Sequence, residues 1–300
     1  MIPESTRDAV IHRYGAQGTA WVAGQTEVIA SLVDAWGLKR LQPCAGGLDQ
    51  NVVWFCERDG EPLALKTGYP EPELFTEMAV LKLWRGRPGV VQLCECDDEA
   101  GVMLMQRIEP GTPFRKLDAE ARLTELPDLF EQVPMPLPQE PMPEQVKLPS
   151  YLKWMERAVT ALPEDAWIAP HAAAALGLLE QLWQSHSDRL LLHGDLHHEN
   201  MLLDAEGSYV AIDPKGVIGP RILEYGRFLH NFLEDEEGPA ETIMASRAQA
   251  LSGAYTTLEI SQVGYIDLAL SLTWSLNAGD TIPTARARQL ALLATMSGIN

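Results

Sequence analysis

The eight residues HGDLHHEN, His193–Asn200, gather three histidines, an aspartate, a glutamate and an asparagine. Asp195 is followed five residues later by Asn200 and, thirteen beyond that, by Asp213 at the end of the apolar run YVAID. Phosphoryl transfer from ATP needs groups of these kinds. A carboxylate orients and deprotonates the acceptor hydroxyl, while an amide oxygen and a second carboxylate hold the magnesium ions that bridge the phosphates. The turn signal DAEG between Asn200 and Asp213 predicts a hairpin that returns their oxygens to one place. On this reading Asp195 is the base, Asn200 and Asp213 bind metal, His193 stabilises the loop, and His197 and His198 have no chemical task. The same histidines raise a competing reading, a metal nest. A strand-like loop would point His198 away from the others, and no H-E-x-x-H or C-x-x-C pattern accompanies them.

Phosphoryl transfer also predicts phosphate-handling groups upstream. CAGGLDQNVVWF places Gly46 and Gly47 at a turn before an apolar strand, where backbone approaches phosphate with no Cβ in the way. Lys66 ends the strand PLALK, from which an ammonium reaches the α- and β-phosphates, and Glu77 on the following helix is placed to orient it. Singly, AGG, an exposed lysine and a solvated helix glutamate are common features. In this order, followed by HGDLHHEN and IDP, they point one way.

Those residues need a sheet and a helical body to hold them. TEVIASLVDAWGLK sets Val28, Leu32, Val33, Trp36 and Leu38 near one helical face, with Gly37 as a stop signal. From Leu41 the texture changes. NVVWFCER and PLALKTG flank the hairpin signal DG, Glu73 to Trp84 is helical, and VVQLCEC and GVMLMQRIEPG flank DDEAG. The expected class is α+β: a helical extension over 1–40, a small antiparallel nucleotide-binding lobe with one helix over 41–106, and a mainly helical lobe over 107–300. Expected late helices include ILEYGRFLHNFLEDEE, a stretch around Met244 to Leu258, IDLALSLTWSLNAG and ARARQLALLATM. Six prolines between Asp128 and Ser150 exclude a continuous helix, so an irregular surface excursion is expected there.

Bulk composition narrows the classes. A net charge of −19 argues against nucleic acid and is compatible with a cationic small substrate, though a soluble acidic surface explains most of it. No apolar run is long enough for a membrane span, and MIPESTRDAVIHRYG is not a secretory leader. Cys44, Cys56, Cys94 and Cys96 have no zinc spacing and read as reduced thiols in a cytoplasm.

HGDLHHEN followed by IDPKG resembles the aminoglycoside phosphotransferases, and DPK in particular resembles their streptomycin and hydroxyurea phosphotransferase branch. The resemblance extends over most of the chain, through GTAWVAGQTEVIASLVDAWGL near the start, VVWFCERDGEPLALKTGYPE, TEMAVLKLWRGRPGVVQL, MQRIEPGTPF and SLTWSLNAGD near the end. It implies a protein-kinase-like bilobal fold and transfer of the γ-phosphate of ATP to a hydroxyl of a small molecule, in this branch a streptomycin-like aminoglycoside or hydroxyurea. It also implies Asp195 as catalytic base, Asn200 and Asp213 as magnesium ligands, and Lys66 with Glu77 as the phosphate-positioning pair. Gln106, Arg107 and Ile108 would lie at the connector where backbone meets the adenine. Three features depart from protein kinases or from the branch. DPK replaces DFG, so no phenylalanine switch is available; CAGGLDQN lacks G-x-G-x-x-G; and the proline-rich span after Leu126 is outside the resemblance.

The acceptor is the least legible part. Glu234, Asp235, Glu236 and Glu237 would suit a polycation, although acidic runs are usually solvated helix ends. Trp274 and Asp267 on a late helix are carried as acceptor contacts, with core and cap as their plainer readings. Glu224 would brace the catalytic loop or form a surface salt bridge. Three functions from different classes stay open: a small-molecule kinase acting on an antibiotic or a sugar, a nucleotide-binding pseudokinase, and a metal protein built on the histidines.

Overall fold

A helix of 32 residues, α1 (Glu4–Ala35), opens the chain and bends at Gly15, whose φ of 58° and ψ of −128° are not helical. The computed structural model describes residues 2–44, 51–118, 121–122, 128–139, 146 and 148–299. The bend brings the two halves of α1 together. A Cβ on Gly18 would stand 2.5 Å from the Val10 carbonyl oxygen, so a larger residue has no room there. The helix stops at the predicted glycine. Gly37, at φ 66°, donates to Asp34 O (3.3 Å) and Leu38 donates to Val33 O (2.9 Å), the Schellman arrangement.

Five strands follow: β1 (Lys39–Pro43), β2 (Asn51–Arg58), β3 (Glu61–Gly68), β4 (Leu93–Asp97) and β5 (Val102–Gln106). They form one antiparallel sheet in the order β1-β2-β3-β5-β4, with α2 (Pro72–Leu83) between β3 and β4 in the chain. Asp59 and Gly60, at φ 54° and 87°, make the turn that the DG pair predicts. Alternation then sorts the strand residues by face. Trp54, Cys56, Leu63, Leu65 and Leu104 form an apolar cluster, and Val28, Ile29, Leu32, Val33 and Trp36 from the N-terminal segment pack against it. Each such side chain contributes roughly 1.5–3 kcal/mol when fully buried. On the same face the buried Thr67 hydroxyl donates to Gln25 Oε1 (3.1 Å), fastening α1 to β3. Lys66 points the opposite way, toward α2.

The chain divides into two compact units, Met1–Gly111 with Pro141–Lys147, and Thr112–Glu140 with Leu148–Asn300. A short strand, β6 (Pro110–Pro113), carries the chain from the first to the second. In the second unit α3 (Leu129–Gln132) and β7 (Met135–Pro136) precede the helices α4 (Tyr151–Thr160) and α5 (Ala169–Ser185). The strand β8 (Leu190–Leu192) pairs antiparallel with β7 and with β11 (Val217–Gly219). Between them β9 (Met201–Asp204) and β10 (Tyr209–Ala211) make a hairpin. Helices α6 (Gly226–His230), α7 (Ala240–Leu251), α8 (Thr257–Asn277) and α9 (Thr284–Met296) complete the unit. α8 opens with a Thr256–Glu259 capping box and is buried along most of its length.

Two expectations change. The described part of the proline-rich span, 128–139, is no surface excursion. Leu129, Phe130 and Val133 are buried, Phe130 stacks on Tyr225 at 4.9 Å, and β7 joins a sheet. The run ILEYGRFLHNFLEDEE is not one helix. Short 3₁₀ turns at Arg221–Tyr225 and Leu233–Asp235 flank α6, and Phe232 is left-handed at φ 57°. The buried Arg247 supplies the reason, because its Nη1 donates to the carbonyl oxygens of Phe228 (2.8 Å), Leu229 (3.3 Å) and Asn231 (2.6 Å). These are the acceptors a continuing helix would use. Among the described residues no helix is long and apolar enough to cross a membrane.

Candidate active site

The loop from His193 to Asn200 leaves β8 and enters β9, and its backbone is held from three directions. Glu224 is buried, and its carboxylate accepts from His193 N (2.7 Å) and Gly194 N (3.0 Å), which is the bracing role and not a surface salt bridge. Burial pushes the Glu224 carboxyl up to about 7, against the lowering effect of those two hydrogen bonds. His193 Nε2 lies 2.7 Å from Ile212 O while Nδ1 accepts from Asp195 N–H (3.2 Å), so the imidazole is neutral with its proton on Nε2. Burial takes its pKa down to about 4. Asn200 Nδ2 donates to Asp195 O (2.9 Å) and Ile212 N donates to Asn200 O (3.0 Å). The β9–β10 hairpin thus returns the chain beside Asn200 just before Asp213, which sits at φ 64°. The loop, the hairpin and the return to Asp213 are therefore assembled as their spacing implied.

The Asp195 side chain faces a buried charge network. Arg227 Nε stands 3.2 Å from one Asp195 oxygen and 3.2 Å from one Asp267 oxygen. Burial raises the Asp195 pKa, and Arg227 followed by His193 pull it back. Asp267 also accepts from the Tyr151 hydroxyl and lies 2.6 Å from His230 Nε2. Burial alone would raise Asp267, but Arg227 and His230 outweigh it and hold the carboxyl well below the usual range. Asp267 is therefore neither a helix cap nor solvent-facing.

The histidine cluster does not make a metal nest. His193 has both ring nitrogens committed, and His198 is buried flat against Phe228, with ring centroids 4.0 Å apart and planes 8° apart. His197 Nε2 is 3.9 Å from Asp195, and burial lowers its pKa to about 4. Among the described residues no group of three or more His, Cys, Asp or Glu side chains is arranged to hold a metal ion.

In the first unit Lys66 and Glu77 are buried together, with Nζ 2.7 Å and 2.9 Å from the two carboxylate oxygens. Gly46 and Gly47 lie outside the described residues. Gln106 N donates to Gln92 O (2.9 Å) and Arg107 N to Pro62 O (3.3 Å), so those two donors are already committed within the unit. The Arg107 guanidinium lies over the Phe55 ring at 4.0 Å, and Ile108 is buried.

The acidic run is largely paired internally. Asp235 is bound by Arg115, Glu236 by Arg122 and Arg247, and Glu234 lies 3.8 Å from Arg115. Arg115 holds the Asp235 carboxyl below its ordinary value. Trp274 is 36% exposed and therefore not core. Sequence reasoning missed Arg227, Tyr151 and Trp154. The only available signal was their helical spacing, which cannot say which helices meet.

A model of the aminoglycoside/hydroxyurea antibiotic resistance kinases matches residues 36–272. The chain is 30% identical to streptomycin 6-kinase of Streptomyces griseus over 224 residues, covering 73% of this chain and 71% of that protein. It is 29% identical to hydroxyurea phosphotransferase of Kitasatospora aureofaciens over 231 residues, covering 73% of this chain and 64% of that one, just under two thirds of its length. Among solved structures, choline kinase LicA from Streptococcus pneumoniae superposes with a TM-score of 0.66 at 13% identity, over 92% of this chain and 99% of that one. Aminoglycoside phosphotransferase APH(4)-Ia does so with a TM-score of 0.65 at 13% identity, again over 92% and 99%. The fold is thus protein-kinase-like. By the span of the family match and by these relatives, the chain belongs to the aminoglycoside/hydroxyurea antibiotic resistance kinases.

Proposed function

We propose that the protein transfers the γ-phosphate of ATP to a hydroxyl of a small molecule, foremost a streptomycin-like aminoglycoside or hydroxyurea. The observation that carries this reading is the anchored loop. Glu224, His193 and Asn200 fix the backbone on both sides of Asp195, so the carboxylate is held where an acceptor hydroxyl can be oriented. Asp195 accepts the hydroxyl proton, the acceptor oxygen bonds to the γ-phosphorus, the β–γ bridging bond breaks and ADP leaves. The proton on Asp195 then passes to solvent.

Asn200 and Asp213 suit magnesium. The Asn200 amide nitrogen is turned to Asp195 O, which leaves its oxygen for a hard cation, and Asp213 would supply a carboxylate to the same ion. When bound, magnesium neutralises charge on the phosphates. Lys66, oriented by Glu77, would hold the α- and β-phosphates, with Gly46 and Gly47 at the turn and the 106–108 connector near the adenine. Nucleotide handling would then fall to 41–106 and acceptor handling to 107–300. All four cysteines are free thiols, which suits a reducing cytoplasm. Because the arginines already hold Asp235 and Glu236, and Arg115 also stands 3.8 Å from Glu234, Glu237 is the residue of the acidic run most open to a cation.

The test is ADP release with Mg-ATP across streptomycin, other aminoglycosides, hydroxyurea and simple amino sugars. Turnover with streptomycin or hydroxyurea that Asp195→Asn lowers at least a thousand-fold is the expected result, on the order seen when an essential acid–base group is lost. Equal, acceptor-independent rates for both proteins would discard the reading.

A further inference from the structure

Helices α4 and α8 are joined at three levels. At the first, the Tyr151 hydroxyl donates to Asp267; at the third, Asn277 Nδ2 donates to Ala158 O (3.0 Å). Between them Trp154 and Trp274 meet edge to face, with centroids 5.2 Å apart and planes at 76°. Positions 151, 154 and 158 lie on one face of α4, and 267, 274 and 277 on one face of α8. The ladder is rooted at the candidate base, since Arg227 links Asp267 to Asp195. It also touches the loop directly, because a Cβ on Gly194 would lie 3.4 Å from Trp154 Cη2.

Trp274 keeps 36% of its surface exposed on this braced face. It stands two helical turns beyond Asp267, about 10 Å along α8. An exposed indole presents a π face that attracts cations. The chain's arginines stack on Tyr14, Phe55, Trp183, Phe228 and Phe232. Among the described residues none of them lies over Trp154 or Trp274. A net charge of −19 draws cations to such a surface.

We infer that Trp154 and Trp274 form an acceptor platform that takes a guanidinium or ammonium group while the reacting hydroxyl lies at Asp195. Trp274 is then a specificity-determining residue, and the preferred acceptors carry a planar cation in addition to that hydroxyl. This rests on the phosphotransferase reading above. Streptomycin, with two guanidino groups, has the required chemistry; hydroxyurea is uncharged and lacks it.

Two measurements separate the platform from the chemistry. One is streptomycin quenching of tryptophan fluorescence without nucleotide. The other is steady-state ADP release with streptomycin and with an uncharged acceptor that the wild type turns over. For Trp274→Ala we expect a Kd and KM for streptomycin raised about ten-fold, kcat affected less, and the uncharged acceptor's KM within about two-fold. Trp274→Phe should recover most of the loss. Trp154→Phe should weaken streptomycin, and the exposed Trp167→Leu control should match wild type. Unchanged streptomycin binding in Trp274→Ala overturns the platform whatever the turnover. A loss confined to kcat that phenylalanine does not restore also overturns it, since that marks a structural role. If the wild type binds streptomycin through Trp274 but releases no ADP, the platform stands and the phosphotransferase reading falls.

Discussion

Arg227 bridges Asp195 and Asp267, with Nε 3.2 Å from an oxygen of each. Two carboxylates thereby share one guanidinium, with Tyr151 and His230 as further partners of Asp267. An unpaired buried charge is far costlier than a paired one, so the three groups stand or fall together. Arg227→Met should destabilise the protein by about 3–5 kcal/mol, because it takes the shared cation from both anions. Adding Asp267→Asn should return part of that loss. Denaturant unfolding of the two single variants and the double variant checks this, and simple additivity would show that the bridge carries no coupling.

Gly194 has φ 78°, and a Cβ there would meet Val217 Cγ1 at 2.6 Å. Gly194→Ala must therefore move the loop or Val217 while also placing alanine in the left-handed region. A loss of about 2–4 kcal/mol is expected, reduced by Val217→Ala, which removes the clashing methyl. Thermal melting of the pair decides it, since a rescue isolates the clash from the backbone cost.

Lys66 and Glu77 form a buried pair with little access to water. Glu77→Leu leaves a buried ammonium and should cost about 3–5 kcal/mol, whereas Lys66→Met with Glu77→Leu should cost less than Glu77→Leu alone. If Lys66 also holds phosphate, ADP should raise the Tm of the wild type but not of the doubly substituted protein. Equal ADP-induced shifts in both would remove Lys66 from the nucleotide site.

His230 Nε2 lies 2.6 Å from Asp267 and its Nδ1 faces Arg286 Nη2 at 3.3 Å. The ring is thus a neutral donor to the carboxylate and acceptor from the guanidinium. Burial brings its pKa to about 4 from 6.5, in spite of the raising effect of Asp267. The unfolded chain then binds a proton that the folded chain refuses. The contribution is fully present above pH 6.5 and is lost as pH falls from 6.5 toward 4, reaching about 3 kcal/mol at the low end. Unfolding free energies at a series of pH values should show this slope, lessened by about one proton in His230→Gln.

Period-two alternation and turn chemistry made the first unit readable. The DG hairpin, the Gly37 stop and the opposed faces of Leu65 and Lys66 all follow from local rules. The hairpin that returns the chain from Asn200 to Asp213 was legible because the DAEG turn signal marks it. Arg227 was not, since its task depends on α6 meeting α8, which no local pattern records. The pairing of the acidic run was hidden for a similar reason. Its partner Arg115 lies 120 residues from Asp235 in the chain, so pairing and solvation look alike in sequence. The break at Phe232 was invisible because Arg247, on another helix, takes the carbonyls that would have continued α6.

The cover that α1 gives the sheet bears on how this protein can be shortened. The family match begins at residue 36, after α1 has ended. A chain trimmed to that boundary would bare the face made by Val52, Trp54, Leu65 and Leu104 and leave Thr67 without Gln25. Such a wide apolar sheet face invites self-association. The trimmed protein should therefore sediment as oligomers or aggregates, and adding residues 1–35 back as a separate peptide should return it to solution.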